Sequence, residues 1–458
     1  MTSPPATVSG KTDTIAAIAT PSGRGGIGIV RLSGPAAFPI AEAITHTSVR
    51  IRTAQLTDFH DSAGTVIDQG LQLGFQAPHS FTGENVVELQ GHGGPVVMDL
   101  LLKSVLAAGA RLARPGEFSE RAFLNDKIDL SQAEAIADLI DSASEQAARS
   151  AVRSLQGQFS DHIRALDQQI VRLRMYVEAA IDFPEEEIDF LSDGKLWTAL
   201  DDLQEQLART IGQTQQGTLL KEGITLVLAG RPNAGKSSLM NQLSGRDASI
   251  VTEIEGTTRD IVSEYIHLDG LPLRLVDTAG LRHTEDLVEK EGVRRAYEAI
   301  KTAEVILLLV DASSSAAEQA DQLALPEQFP PTGATVLVVL NKTDLVVHAE
   351  LDTGTLEQLP VSALTGDGIG ALKERIKSLV GYQSQSEGTF MARRRHLQAL
   401  HKADTALRTG REQLEVTQAG ELLAEELRMA HEALCEITGE FSSDDLLGEI
   451  FSSFCIGK

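Results

Sequence analysis

Eight residues, GRPNAGKS from Gly230 to Ser237, narrow the folds open to this chain more than any other stretch. They fit the pattern GxxxxGKS and fall between a strand-like run, ITLVLAG, and a helix-like one. In that setting the glycines let backbone N–H groups wrap phosphate oxygens, Lys236 reaches the β and γ phosphates, and the Ser237 hydroxyl binds Mg²⁺. Asn233, Ala234, Gly235 and Ser238 complete the loop. The surrounding sequence reads as a sheet with helices. ITLVLAG, IVSEYIHL, LPLRLVDT, VILLLV and TVLVVLN are short strand-like runs between Lys221 and about Gly381, mostly separated by helix-like stretches. LDG between the second and third is a hairpin turn, so one antiparallel pair sits in an otherwise parallel sheet.

Three further motifs follow in order. DTAG, Asp277, Thr278, Ala279 and Gly280, ends a predicted strand. There Asp277 can hold the Mg²⁺ shell and the Gly280 amide can meet the γ-phosphate. NKTD follows another strand, with Asn341 and Lys342 first and Asp344 last. An aspartate there can accept two hydrogen bonds from guanine N1 and N2, which adenine cannot supply. SAL, Ser362, Ala363 and Leu364, stands where a backbone contact to guanine O6 belongs. VTEIEGTTRD, Val251 to Asp260, supplies a first switch segment, in which Thr257 or Thr258 can close on Mg²⁺. The expectation is a guanine-nucleotide domain.

Its hydrolytic equipment is unusual. In Ras-like proteins a glutamine after DxxG orients the attacking water. Here that position is Leu281, which neither accepts nor donates a hydrogen bond. The segment after it offers Glu285, Asp286, Glu289 and Glu291, each also readable as part of a solvated acidic loop. No residue announces itself as an arginine finger. Asn233 can help bind a monovalent cation in that role, or can simply suit a tight turn.

Helix-rich sequence flanks this α/β segment on both sides. From Ile136 to Ile181 apolar residues recur three or four apart, through Leu139, Ala143, Ala147, Ala151, Leu155, Phe159, Ile163, Leu166, Ile170, Leu173 and Val177. That is one face of a very long helix or of two stacked ones. Another helical stretch runs from about Leu196 to Leu220. After Gly381, Leu423, Leu427, Ala430, Leu434 and Ile437 fall in register, and SDDLLGEIFSSF reads as a last helix. Before all this, residues 13–130 read as α+β, with strands in TIAAIAT, GIGIVRLSG, GLQLGF and NVVELQG and a helix in MDLLLKSVLAAG. The expected architecture is an α+β N-terminal domain (1–128), a discontinuous α-helical domain (129–220 and 382–458), and an inserted α/β P-loop domain with a Ras-like mixed sheet (221–381).

Composition excludes several classes. Two cysteines, Cys435 and Cys455, do not make a disulfide scaffold and fit a reducing compartment. The first residues lack the apolar core of a signal peptide, and VILLLV is far too short to span a bilayer. The expectation is a cytoplasmic protein. A net charge of −25 argues against a broad electrostatic grip on nucleic acid. The densest basic run, MARRRHLQALHK at 391–402, reads as a solvated helix face.

In the N-terminal part, HSFTGENVVELQGHGG and RPGEFSERAFLNDKIDLSQAEA concentrate polar residues in expected loops. No Cys/His spacing supports His79 and His92 as metal ligands. Arg31, Glu88 and Lys127 can together hold an anionic heteroaromatic ligand, or can be structural. The chain closes FSSFCIGK. Gly457 and Lys458 after the cysteine argue against a prenylation signal, and no metal partners lie nearby in sequence. Cys455 is left as a tail contact or a catalytic thiol.

The tail CIGK, the inserted domain with GRPNAGKSS, GTTRD, DTAGLR and NKTD, and the stretches GRGGIGIVRLSG, SFTGENVVELQGHGG and RPGEFSERAFLNDKIDLSQAEA together resemble the MnmE (TrmE) family of bacterial tRNA-modification GTPases. The likeness runs from about Asp13 to Lys458. It implies GTP-dependent addition of an aminomethyl-type group (carboxymethylaminomethyl or aminomethyl) at C5 of the wobble uridine of certain tRNAs. An FAD-binding partner, MnmG (GidA), is implied too, in a heterotetramer or larger. So is a one-carbon unit from 5-formyl-tetrahydrofolate or a related folate. The resemblance makes the N-terminal domain folate-binding and homodimerising, with Arg31, Glu88, Lys127 and Lys458 at the folate. It pairs the GTPase domains across K⁺, held by Asn233, Thr252, Ile254 and Thr257. It matches Ser237 and Thr258 to the Mg²⁺ ligands, and Glu289 to the residue that orients water. Lys236, Glu289 and Cys455 are the implied catalytic residues. Asn85 and His283 depart from the acidic residues expected at their positions, neither of which has an assigned role. Two other classes are weighed: an RNA-binding switch GTPase of ribosome assembly, without modification chemistry, and a membrane-remodelling GTPase. No RNA-binding module and no membrane-inserting segment appears in the sequence.

Overall fold

The computed structural model describes residues 13–182, 194–244, 263–277, 297–346, 351–383, 390–440 and 444–457. They fall into two compact units. One draws its residues from Met1–Ala137, Ser154–Glu178 and Ala424–Lys458, the other from Asp138–Arg153 and Ala179–Leu423.

The first unit is built on a six-stranded sheet: β1 (Ile15–Ile18), β2 (Gly28–Ser33), β3 (Gln55–His60), β4 (Val66–Phe75), β5 (Val86–Gly91) and β6 (Arg111–Leu112), in the order β3-β4-β5-β2-β1-β6. All pairs are antiparallel except β1 with β6. Alternation decides which face is inward. Val30 and Leu32 of β2 are fully buried, while Arg31 between them faces the other way. Helices α1 (Ala37–Thr45) and α2 (Pro95–Ala107) bury Ile40, Ile44, Met98, Leu101 and Val105 in one core with Val30, Leu32, Phe59 and Leu89. The sequence reading finds β1, β2, β5 and α2. It misses β3, α1 and the short β6, and it sees only the second half of β4. QLTDFH alternates too weakly to stand out.

The RPGEFSERAF stretch, expected as a loop, begins helix α3 (Glu117–Leu124). Its charges are largely internal. Glu117 accepts from Arg111 Nη2 at 2.7 Å, from Arg121 Nη2 at 3.2 Å and from the Arg114 amide at 2.7 Å. Arg121 also reaches Glu84 at 3.1 Å and Asp13 at 2.8 Å. Polar composition therefore marked a buried ion network here and not a solvated loop.

The single apolar face from Ile136 to Ile181 is carried by three helices, α4 (Leu130–Ile140), α5 (Glu145–Leu155) and α6 (Gln158–Asp182). A left-handed Gly157 (φ 86°) stands between the last two. Within these helices Ala147, Ala151, Phe159, Ile163, Leu166, Ile170, Leu173 and Val177 are buried, but Ala143, in the break between α4 and α5, is exposed and Leu155 is only half-buried.

In the second unit, α7 (Lys195–Glu222) leads into a sheet of β7 (Ile224–Ala229), β8 (Ser263–Leu268), β9 (Leu271–Asp277), β10 (Val305–Asp311), β11 (Thr335–Asn341) and β12 (Gln358–Pro360). The order is β12-β11-β10-β7-β9-β8, parallel throughout except β8 with β9. The LDG turn joins that pair with Asp269 and Gly270 both at positive φ, 50° and 92°, as a type I′ hairpin requires. Central β10 is buried on both faces, so VILLLV shows no alternation. Helices α8 (Lys236–Ser244), α9 (Ala316–Leu323) and α10 (Ile369–Leu379) accompany the sheet, and α11 (Arg394–Thr417) follows it. The last two helices, α12 (Gly420–Thr438) and α13 (Asp444–Ser452), complete the order. In the second unit Asp138 accepts from Lys221 Nζ at 2.5 Å and Arg393 Nη2 at 2.8 Å, one just before the sheet in sequence and the other at the start of the helix that follows it. The basic run at 391–402 is thus partly internal: Arg393 is in that ion pair and His396 is buried. Among the described residues no helix is long and apolar enough to cross a membrane.

Candidate active site

The loop from Gly230 to Gly235 turns from the end of β7 into α8 through three positive φ angles, at Gly230, Asn233 and Gly235. Gly235 is required twice over. Its φ is 97°, and a Cβ there would stand 2.1 Å from Asn341 Nδ2. Lys236 is buried and folds back over the loop, its Nζ donating to the carbonyls of Gly230 at 2.9 Å and Arg231 at 3.2 Å. Asp277, at the end of β9, has a carboxylate oxygen 4.0 Å from that ammonium. Burial pulls the Lys236 pKa below its usual value, and the Asp277 charge opposes this. Such an ammonium binds an anion readily, because a phosphate supplies the charge that water no longer does. Ser237 and Ser238, one residue into α8 and beyond, are exposed.

Asn341, at the end of β11, ties three motifs together. Its Nδ2 donates to Ala234 O at 2.8 Å, and its Oδ1 accepts from the Ala363 amide at 3.0 Å. The SAL segment is therefore hung from the same side chain that braces the phosphate loop. Ser362 Oγ donates to Asp344 Oδ1 at 2.6 Å, which orients a carboxylate that is otherwise exposed. Lys342, in the left-handed region at φ 65°, donates to Asp311 Oδ2 at 2.6 Å. Burial works against ionised Asp311, but the bonds from Lys342 and Ser313 hold it below the usual carboxylate range. Leu364 is exposed beside this group. Asp311, which braces Lys342, was not among the residues singled out from sequence; its place at the end of a fully apolar strand was the available signal.

Several expected site residues lie outside the described residues: Thr252, Ile254, Thr257, Thr258, Thr278, Ala279, Gly280, Glu289 and Lys458. In the first unit, Arg31 and Glu88 are register partners on β2 and β5. Arg31 Nε and Nη2 donate to Glu88 Oε1 at 3.1 and 2.9 Å, and its guanidinium carbon lies 5.7 Å from the Phe118 ring centre. Lys127 is exposed and donates to Pro78 O at 3.0 Å. Among the described residues, no hydrogen bond or ion pair joins Lys127 to the Arg31–Glu88 pair. The tail is seated on the same unit: Ile456 bridges Pro115, and the Gly116 amide donates to Cys455 O at 3.4 Å. The Cys455 side is exposed. His79 and His92 stay apart, with His92 Nδ1 on Asp68 at 2.8 Å.

A phosphate-cradling loop with its lysine, a strand-end aspartate beside it, and an Asn–Asp pair fixed to a Ser-Ala segment, all on a mixed sheet, define a P-loop GTPase domain. The family described as the MnmE helical domain matches residues 130–455, and the one described as the GTP-binding protein TrmE N-terminus matches residues 14–127. The chain belongs to the MnmE family of tRNA modification GTPases. It is 57% identical over 452 residues to the tRNA modification GTPase MnmE of Ectopseudomonas mendocina (strain ymp), covering 97% of this chain and 99% of the relative. The protein of that name from Legionella pneumophila (strain Corby) gives the same identity and coverage. That of Pseudomonas fluorescens is 56% identical over 453 residues, with 97% and 99% covered.

Proposed function

We propose that this chain is a cytoplasmic, homodimeric GTPase whose hydrolysis cycle drives C5 modification of tRNA wobble uridine. The group added is carboxymethylaminomethyl or aminomethyl. It acts with an FAD-binding partner of the MnmG (GidA) kind, in a heterotetramer or larger. The observation that carries the guanine reading is the Asn341 side chain joining the phosphate loop to SAL, with Asp344 oriented by Ser362. Family membership carries the tRNA reading. We propose domains at 1–128, 129–220 with 382–458, and 221–381.

Lys236 holds the β and γ phosphates. Ser237 offers an exposed hydroxyl suited to Mg²⁺, with Thr258 as its partner ligand and Asp277 in the outer shell. When bound, Mg²⁺ neutralises charge on the β and γ oxygens. Leu281 leaves the water-orienting role to Glu289. Asn233, with Thr252, Ile254 and Thr257, holds the K⁺ that takes the place of an arginine finger. Its own position in the left-handed region of an exposed turn is also what a plain turn asparagine adopts. Arg31, Glu88, Lys127 and Lys458 hold a folate of the 5-formyl-tetrahydrofolate type, with the buried Phe118 ring backing the Arg31 guanidinium. Cys455 is the thiol of that region. If K⁺ acts this way, GTP hydrolysis in potassium exceeds that in sodium by at least about tenfold, and Asn233→Ala removes the difference. Equal rates in the two salts sink the cation role.

The deciding experiment measures wobble-uridine nucleosides of total tRNA by mass spectrometry in cells lacking this chain. Strains rescued with wild type and with Cys455→Ser run alongside. Loss of the modified uridines, restored by wild type, supports the reading, and the Cys455→Ser lane reports whether the thiol is needed. Unchanged nucleosides leave the GTPase but remove the tRNA chemistry, and a switch GTPase takes its place.

A further inference from the structure

Away from the nucleotide loop, the first unit gathers a mixed set of metal-binding side chains between α6 and α12. His431 and Cys435 lie one turn apart on α12, so both face the same neighbour. That neighbour contributes Asp167 from α6. His431 Nδ1 and Asp167 Oδ1 are 2.6 Å apart, and Cys435 Sγ is 3.7 Å from His431 Nδ1 and 4.0 Å from Nε2. One ligand atom from each of the three residues falls within 4.8 Å of the others. A fourth group comes from the helix terminus. Gly439 is left-handed at φ 89°, and the amides of Gly439 and Glu440 both return to Cys435 O, at 3.0 and 3.2 Å. This reversal brings Glu440 Oε2 to 3.8 Å from Cys435 Sγ.

We infer that Asp167, His431, Cys435 and Glu440 form a binding site for a Zn²⁺-class divalent ion. One thiolate, one imidazole and two carboxylates are a tetrahedral donor set of the kind zinc takes. Bond lengths of about 2.3 Å to sulfur and 2.0–2.1 Å to nitrogen or oxygen put tetrahedral ligand atoms roughly 3.3–3.6 Å apart. The sulfur already lies close to that spacing from the His431 and Glu440 donors. The His431–Asp167 pair must open from 2.6 Å and the exposed Glu440 carboxylate must swing in toward the other two groups, and rotation of these side chains supplies both. Binding of the dication releases the thiol proton to solvent, so the ligand is the thiolate.

The test uses the full chain, stripped with a chelator and kept free of nucleotide, with Co²⁺ and then Zn²⁺ as probes. Thiolate-to-cobalt charge transfer reports sulfur ligation, which a phosphate-loop metal cannot produce. One equivalent of Co²⁺ giving this band with visible bands of tetrahedral intensity, displaced by one equivalent of Zn²⁺, is the expected result. Cys455→Ser keeps the band. Cys435→Ser loses it, and His431→Gln weakens Zn²⁺ binding more than about 100-fold, since even outer-shell partners are worth up to that much. Absence of the band from the unaltered chain overturns the site, whatever the variants do. A band that vanishes in Cys455→Ser and persists in Cys435→Ser overturns it as well.

Discussion

Asp344 has one carboxylate oxygen on Ser362 Oγ and is otherwise exposed, so it is poised to accept from a purine edge. Asp344→Asn replaces an acceptor pair with a group carrying a donor on one side. Two charge-assisted bonds at about 1.5–3 kcal/mol each are then weakened or lost. GTP affinity is expected to fall on the order of 100-fold or more, with xanthosine triphosphate gaining, as read by fluorescent-nucleotide competition. Glu117 carries a different prediction. Its burial favours the neutral acid, but the bonds from Arg111 and the Arg114 amide, with the Arg111 and Arg121 charges, outweigh it and lower the pKa from the usual 4.5. The unfolded chain therefore binds the proton first as pH falls. Glu117 contributes fully above pH 4.5 and its contribution is lost as pH drops through the lower folded value. Glu117→Gln should flatten the stability curve below pH 4.5 and, with Arg121 left in place, cost about 3 kcal/mol at neutral pH in denaturant melts. The GTPase motifs could be read as strings because each packs its chemistry into ten or fewer consecutive residues. Asp311 and the Glu117 network could not, because their partners are set by strand order.

At the scale of elements, α7 faces inward through Leu196, Leu200, Leu203, Leu207, Thr210, Thr214, Gly217 and Leu220. Gly217 lets the chain past: a Cβ there would lie 1.8 Å from Phe390 O. Gly217→Ala should cost about 1–3 kcal/mol through forced displacement of backbone. Gly212, on the same helix, has nothing within 4 Å of its would-be Cβ. Gly212→Ala should instead stabilise by roughly 0.5–1 kcal/mol. Opposite shifts in melting temperature check both. The periodicity that foretold these helices was legible because burial repeats every turn. It could not say that the Ile136–Ile181 stretch is cut into three, since the breaks are only a few residues long and the first holds an apolar residue, Ala143, at helical spacing. Nor could it separate loop from helix in RPGEFSERAF, where charges serve partners far off in sequence.

At the scale of the molecule, the insertion is legible because helical periodicity stops and resumes around strand-like runs. How its ends are joined was not. In the second unit one carboxylate, Asp138, receives both Lys221 and Arg393, the residues flanking the sheet. Asp138→Asn leaves both cations facing a neutral amide in a nearly buried place. A loss of about 3 kcal/mol is expected, with Asp138→Ala no milder. Calorimetry with and without GTP checks whether the sheet is destabilised along with the helices or melts apart from them.

Phe451, in the last turn of α13, and Phe454, just beyond it, pack with Leu130 and Ala133 and against Phe123, while Ile456 bridges Pro115. These partners are separated by most of the chain, and this sets a timetable for synthesis. The sheet of the first unit can pair while translation is under way, but the apolar patch around Leu130 stays open until the last helix leaves the ribosome. Every incomplete chain therefore carries an uncovered sticky surface. Nascent intermediates, more than the finished protein, are where chaperones and proteases have their hold.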